Sequence, residues 1–204
     1  MTLEDKPGLR RWLRQRRRAI SPVDQHRAAQ AAAERLSALA RWRHAKRVAV
    51  YLPADGEMGT AAVMDAAWQA GKAIYLPVIQ PPRGQHGAAA ARRAGHLVFR
   101  RYQPRTPLRP GLLGIPEPVR GAAPCLPLAA LDVLVMPLVG FDARGRRLGM
   151  GGGFYDRTLA GRNGHRRPWR VGLAHAIQQI PALPEDPWDQ RLDACVTESS
   201  TWLW

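Results

Sequence analysis

Cysteine is nearly missing from this chain. Cys125 and Cys195 are the only two in 204 residues, too few and too far apart for a disulfide framework or a zinc site. No apolar run is long enough to span a bilayer and no secretory signal stands out, so the expectation is a cytoplasmic protein with no membrane partner. Lysine is scarce as well: it occurs at 6, 46 and 72, so 28 of the 31 basic residues are arginine. The net charge of +15 is of the kind carried by nucleic-acid binders. Codon usage alone also produces such an arginine bias, and the aromatics do not interleave with the basic residues as a stacking platform requires. Histidines 26, 44, 86, 96, 165 and 175 have no spacing that suggests a metal or a triad, and no G-x-S-x-G elbow is present.

The remaining pattern is that of one α/β domain over residues 1–204. Lys6 to Arg18 sets Leu9, Trp12 and Leu13 at helical spacing with arginines on the other faces, which predicts a basic N-terminal helix lying on a core. Ser21-Pro22-Val23-Asp24 supplies a cap, a proline at the first helical position and an acid, so a second helix starts there and runs to about Trp42. The runs VAVYL (48–52), AIYLPV (73–78) and LDVLVM (131–136) read as buried strands, with further strands at 97–102, 171–174 and 192–197. A helix from about Thr60 to Gly71 links the first two in a βαβ pattern. Gln80 to Gly95, rich in Pro, Gly, Ala and Arg and without a period, reads as a mobile surface insertion. The segment 113–118, LGIPEP, is extended because its prolines forbid a helix.

Two polar stretches follow the carboxyl ends of buried strands, where ligands sit in an open α/β sheet. Asp55-Gly56-Glu57 follows the first, and Glu57 is either a ligand contact or a cap for the helix near Thr60. FDARGRRLGMGGGFYD (141–156) follows the third. Its glycines at 149, 151, 152 and 153 let the backbone approach a ligand, Arg146 and Arg147 bring charge, and Asp156 offers an oxygen to a hard cation. No Lys-Ser or Lys-Thr follows the glycines, and G-x-G-x-x ends on Phe154, so the usual nucleotide fingerprints do not apply. The loop is an anion site or a tight turn.

Lys6-x-x-Leu9-Arg10, the Tyr51 to Glu57 turn, the Gly114 to Pro118 segment, PLVGFDARGRRLGMGGGFYDR and the Pro184 to Thr197 stretch, in that order over nearly the whole chain, resemble the 5-formyltetrahydrofolate cyclo-ligase (methenyltetrahydrofolate synthetase) family. The resemblance implies a three-layer α/β/α sandwich around a mostly parallel sheet. It implies an ATP- and Mg2+-dependent closure of 5-formyltetrahydrofolate to the 5,10-methenyl form, by a monomer whose partners are a reduced folate and ATP. By the same resemblance, Lys6 and Arg147 are catalytic, and ATP is bound by Lys6, Arg10, Arg147, Leu148, Gly149, Met150, Gly151, Gly152, Gly153, Phe154 and Tyr155. Leu52, Glu57, Met150, Gly151, Gly152, Gly153 and Phe154 touch the folate, and Asp156 and Asp189 hold magnesium. Two positions depart from the family pattern: Met150 stands in place of a larger polar group, and Phe154 in place of the first tyrosine of a Tyr-Tyr-Asp end. The competing expectation is a basic, non-enzymatic nucleic-acid binder.

Overall fold

The computed structural model describes residues 5–112, 114–119, 125–160 and 168–204; Leu113 of the extended segment and His165 lie outside the described residues. In chain order the helices are α1 (Lys6–Arg18), α2 (Pro22–Ala38), α3 (Ala40–His44), α4 (Ala61–Gln69), α5 (Gly87–Ala94) and α6 (Phe154–Leu159). The strands begin with β1 (Arg47–Ala49), β2 (Ala73–Gln80), β3 (His96–Tyr102), β4 (Leu108–Pro110), β5 (Pro116–Pro118) and β6 (Cys125–Leu126). They continue with β7 (Val133–Met136), β8 (Gly140–Phe141), β9 (Arg147–Leu148), β10 (Trp169–Leu173), β11 (Ala194–Val196) and β12 (Thr201–Leu203).

Eight strands form one sheet in the order β12-β11-β10-β7-β1-β2-β3-β6. The pairs from β11 through β2 are parallel, and β12, β3 and β6 add antiparallel edges. Alternate residues of the central strands feed two separate cores, as a pleated strand buried on both faces requires. Val48, Val133, Val135 and Val171 pack with α2, α3 and α4 on one face. Ala49, Leu134 and Met136 pack with Phe99, Ala91 of α5 and Leu159 of α6 on the other. The result is the three-layer α/β/α sandwich around a mostly parallel sheet.

The helix starts follow their capping residues. Asp5 accepts a bond from Gly8 N at 2.7 Å and Ser21 one from Asp24 N at 3.1 Å, satisfying amide donors that the first turn leaves open. The helix expected to reach Trp42 breaks at Leu39, whose backbone is extended, and resumes as α3. Within the 80–95 stretch, read as a surface insertion without a period, β2 runs on to Gln80 and Gly87–Ala94 forms α5. A run of alanines hides a helix from periodicity analysis, because Ala90 and Ala91 are the buried face yet differ little in hydropathy from the exposed alanines beside them. The final antiparallel strand β12 was not expected.

Helix α1 stands apart from both main cores. Its Leu9 and Leu13 pack with Val139, Leu148, Ile180 and Leu183 in a small third core, built from the loops that leave β7 and β10. That packing lays the basic helix across the carboxyl edge of the sheet.

Candidate active site

The chain order reverses between β1 and β7: β2 lies on one side of β1 while β7 and β10 lie on the other. A crevice opens at such a switch point because the two loops leave their strands in opposite directions. Here those loops carry the Asp55-Gly56-Glu57 turn and the glycine stretch. Between them, roofed by α1, is a cavity of about 860 Å³, and every site residue named in the sequence reading except Arg146 lines it.

On one side of the cavity are the first turn of α1 and the glycine loop. Lys6 Nζ donates to Asp186 Oδ2 at 2.6 Å and to Asp189 Oδ2 at 2.5 Å. Burial works against the ammonium's charge, but the bonds and charges of these two aspartates outweigh it and raise the Lys6 pKa. Arg10, one turn further on, donates from Nε to the Gly149 carbonyl at 2.8 Å, so α1 holds the glycine loop directly. Arg147 on β9 is 4% exposed and pairs through Nη2 with Asp156 Oδ1 at 2.9 Å, while its buried Nε has no acceptor among the described residues. Arg146 does not join it. Its side chain bonds the Leu183 carbonyl and faces Glu185, so of the two adjacent arginines only Arg147 lines the cavity.

The glycine loop is conformationally committed. Gly151 has φ 93° and Gly153, which caps α6, has φ 65°, values that side chains with a Cβ rarely adopt. Gly152 is held by space instead: a Cβ there would come 2.7 Å from the Phe154 ring. Tyr155 is buried behind the loop, and burial pushes its hydroxyl pKa upward.

Opposite the loop stands Glu57. Its Oε2 accepts from Ala54 N at 3.0 Å, and Thr60, which caps α4, makes no side-chain cap bond but donates to the Tyr51 carbonyl. The capping alternative for Glu57 therefore fails. Burial raises its pKa, and the bond from Ala54 and the charge of Arg17 offset only part of that rise. Leu52 is half-buried beside it, and Met150 is exposed at the cavity mouth.

Asp156 and Asp189 come from different elements but are tied together, since Gln190 N donates to Asp156 Oδ1 at 3.1 Å. No group of three or more metal-ligating side chains occurs among the described residues. A donor set of two carboxylates fits magnesium, which keeps several waters and shares phosphate oxygens, better than it fits a metal that needs a full protein cage.

A sequence model of the 5-formyltetrahydrofolate cyclo-ligase family matches residues 2–198. The chain belongs to that family. It is 44% identical over 192 residues to the 5-formyltetrahydrofolate cyclo-ligase of Escherichia coli strain K12, covering 94% of this chain and all of that one. It is 38% identical to that of Haemophilus influenzae, covering 93% and 95% of the two chains. The solved Aquifex aeolicus 5,10-methenyltetrahydrofolate synthetase superposes with a TM-score of 0.77 at 29% identity, covering 97% of this chain and 92% of that one. Family membership makes the protein an enzyme of the cyclo-ligase type, and among the described residues no helix is long and apolar enough to cross a membrane.

The cavity-lining Tyr51, Asp55 and Asp186 escaped the sequence reading as site groups, and so did Arg17, which lies behind the lining and borders Glu57. Arg17 carried a usable signal. It continues the stripe of Leu9 and Leu13 at a four-residue step, so the helix buries an arginine where its pattern calls for an apolar residue.

Proposed function

We propose that this chain uses Mg-ATP to convert 5-formyltetrahydrofolate to 5,10-methenyltetrahydrofolate, releasing ADP and phosphate. The observation that carries the reading is a pair of cation–carboxylate couples in one cavity beside a glycine loop: Lys6 with Asp189, and Arg147 with Asp156. Each couple holds the two charges that a magnesium nucleotide needs. With a magnesium nucleotide bound, Lys6 and Arg147 would face phosphate oxygens and Asp156 and Asp189 would face the metal, so each charged side chain would keep a partner of opposite sign. The buried Arg147 Nε without an acceptor is a further donor available to an anion. Asp156 and Asp189 would hold magnesium, which neutralises phosphate charge when bound.

The chemistry explains the need for ATP. A formamide oxygen leaves poorly. Transfer of the γ-phosphoryl group to that oxygen creates a phosphate leaving group; N10 then attacks the formyl carbon, the C–O bond breaks toward phosphate, and N10 gives up its proton. Lys6 neutralises charge on the transferred group and Arg147 on the phosphates beside it, so catalysis rests on positioning and electrostatics. Arg10 fixes the loop through Gly149 while facing the nucleotide. Glu57 accepts hydrogen bonds from the pterin's amino and ring N–H edge, with Leu52 and the Met150 to Phe154 span packed on the folate.

The test is the ultraviolet absorbance of the methenyl product from purified protein and 5-formyltetrahydrofolate. It rises only when ATP and magnesium are both present. Product without ATP overturns the mechanism, and tight, salt-sensitive nucleic-acid binding without turnover would favour the nucleic-acid binder instead.

A further inference from the structure

Arg17 is fully buried, and a buried guanidinium requires a counter-ion and acceptors for its donors. Its Nε donates to the Asp55 carbonyl at 2.8 Å, its Nη1 to the Leu138 carbonyl at 3.1 Å and its Nη2 to Asp55 Oδ2 at 2.8 Å. Asp55 also accepts from Arg14 Nε at 2.7 Å and from Arg18. Three arginines of α1 therefore converge on one carboxylate.

That carboxylate belongs to an unusual residue. Asp55 is the one non-glycine with positive φ, 55°, among the described residues, and Gly56 follows at 74°. Glu57 N bonds the Ala54 carbonyl at 3.0 Å, so Asp55 and Gly56 are the central residues of a turn with both φ values positive, as in type I′. A Cβ on Gly56 would sit 3.3 Å from the Arg17 carbonyl. The end of α1 is thus seated on the turn that delivers Glu57 to the cavity.

Two carboxylates lie within reach of Arg17, and they are not equivalent. Asp55 takes the short bond. Glu57 Oε1 stays 3.9 Å from Nη2 and makes no hydrogen bond among the described residues. We propose that Asp55 is the counter-ion that keeps Arg17 from engaging Glu57, so that Asp55 and Arg17 act together as positioning residues for recognition of the reduced folate. The inference rests on the assignment of Glu57 to the pterin. Without the Asp55 charge, Arg17 has Glu57 as its remaining carboxylate partner, the two close into contact, and the ligand's N–H groups must displace a guanidinium. Lys6 and Arg10, at the other end of the same helix, are unaffected.

The experiment measures dissociation constants of 5-formyltetrahydrofolate and, separately, of a non-hydrolysable ATP analogue with magnesium. The proteins are wild type, Asp55→Asn, Asp55→Gly, Glu57→Gln and the double variant Asp55→Asn/Glu57→Gln. Asn and Gly both tolerate positive φ, so each removes the charge while keeping the turn, and either one suffices if the other fails to fold. Both should weaken folate binding about tenfold and change ATP-analogue binding less than about twofold. In the Glu57→Gln background the effect of Asp55→Asn should vanish, because the group through which it acts has lost its charge. Wild-type folate affinity in both Asp55 variants, with Glu57→Gln weakened, overturns the inference. So does an undiminished effect in the Glu57→Gln background or an equal loss of both ligands. Unchanged folate affinity in Glu57→Gln instead refutes the assignment of Glu57 itself.

Discussion

Replacing Asp156 by Asn and, separately, Asp189 by Asn should produce the same functional defect with different stability costs. Each change removes a charge proposed to face magnesium, so each should raise the magnesium concentration needed for half-maximal turnover. The structural consequences diverge. Asp156 is the carboxylate partner of Arg147, whose side chain is 4% exposed, and it also accepts from Gln190 N. Asparagine keeps an acceptor but loses the charge assistance, a difference of about 1 to 2 kcal/mol for a buried pair. At about 2 to 4 °C per kcal/mol for a chain of this size, the melting temperature should fall by roughly 2 to 8 °C. Lys6, by contrast, loses Asp189 but keeps Asp186 at 2.6 Å, and both members of that pair are partly exposed. An ion pair of this kind is worth about 0 to 1 kcal/mol, so Asp189→Asn should shift melting by no more than about 4 °C. The assay is initial rate against magnesium for the three proteins, alongside thermal unfolding without ligand. An Asp156→Asn enzyme that melts lower but keeps the wild-type magnesium curve would reduce Asp156 to a partner of Arg147. Normal magnesium curves for both variants would refute the metal assignment.

Glu57→Gln should weaken folate binding about 10- to 150-fold, the equivalent of about 1.5 to 3 kcal/mol for lost charge-assisted bonds, with ATP-analogue binding unchanged by calorimetry. Because burial raises the Glu57 pKa, wild-type folate affinity should begin to fall at a higher pH than an ordinary carboxylate would give, and the fall should be absent in Glu57→Gln. Gly151→Ala forces a side chain to φ 93°, a strain of about 1 to 3 kcal/mol, and should weaken ATP-analogue binding by about 5-fold or more; unaltered binding would make the loop a simple turn. Asp55 is held at a pKa of about 2, below its ordinary 3.8, because the bonds from Arg14, Arg18 and Arg17 overcome the opposing effect of burial. Its contribution to stability is therefore complete above about pH 4 and lost as the pH falls through about 2. The stability gap between wild type and Asp55→Asn, measured in urea from pH 6 to pH 2, should close in that window, and a constant gap would contradict the ion-pair account.

The layer order and most strands were legible because a sheet covered on both faces demands short continuous apolar runs such as VLVM at 133–136. The positions of Glu57 and the glycine loop at one edge followed from the rule that ligands sit beyond the carboxyl ends of strands. What escaped were features fixed by tertiary partners. Helix α5 buries alanines that read the same as its exposed ones, and β12 exists because β11 offers it an edge to pair with. The left-handed backbone at Asp55 is maintained by arginines 37 to 41 residues earlier in the chain. Local reading also treated the loop glycines alike, whereas the structure requires Gly151 and Gly153 for positive φ and Gly152 for space beside the Phe154 ring. Arg146 and Arg147 are neighbours in sequence, yet Arg146 is held by the Leu183 carbonyl and Glu185 while only Arg147 reaches the cavity.

The most direct test of the central claim follows the formyl oxygen. If that oxygen is phosphorylated before N10 displaces it, turnover of 5-formyltetrahydrofolate carrying oxygen-18 in the formyl group, with ATP and magnesium in ordinary water, must place one labelled atom in each inorganic phosphate released. Mass spectrometry of the phosphate reads the outcome. Label in the phosphate, in step with methenyl absorbance, is the predicted result; unlabelled phosphate with the label in water would contradict the account.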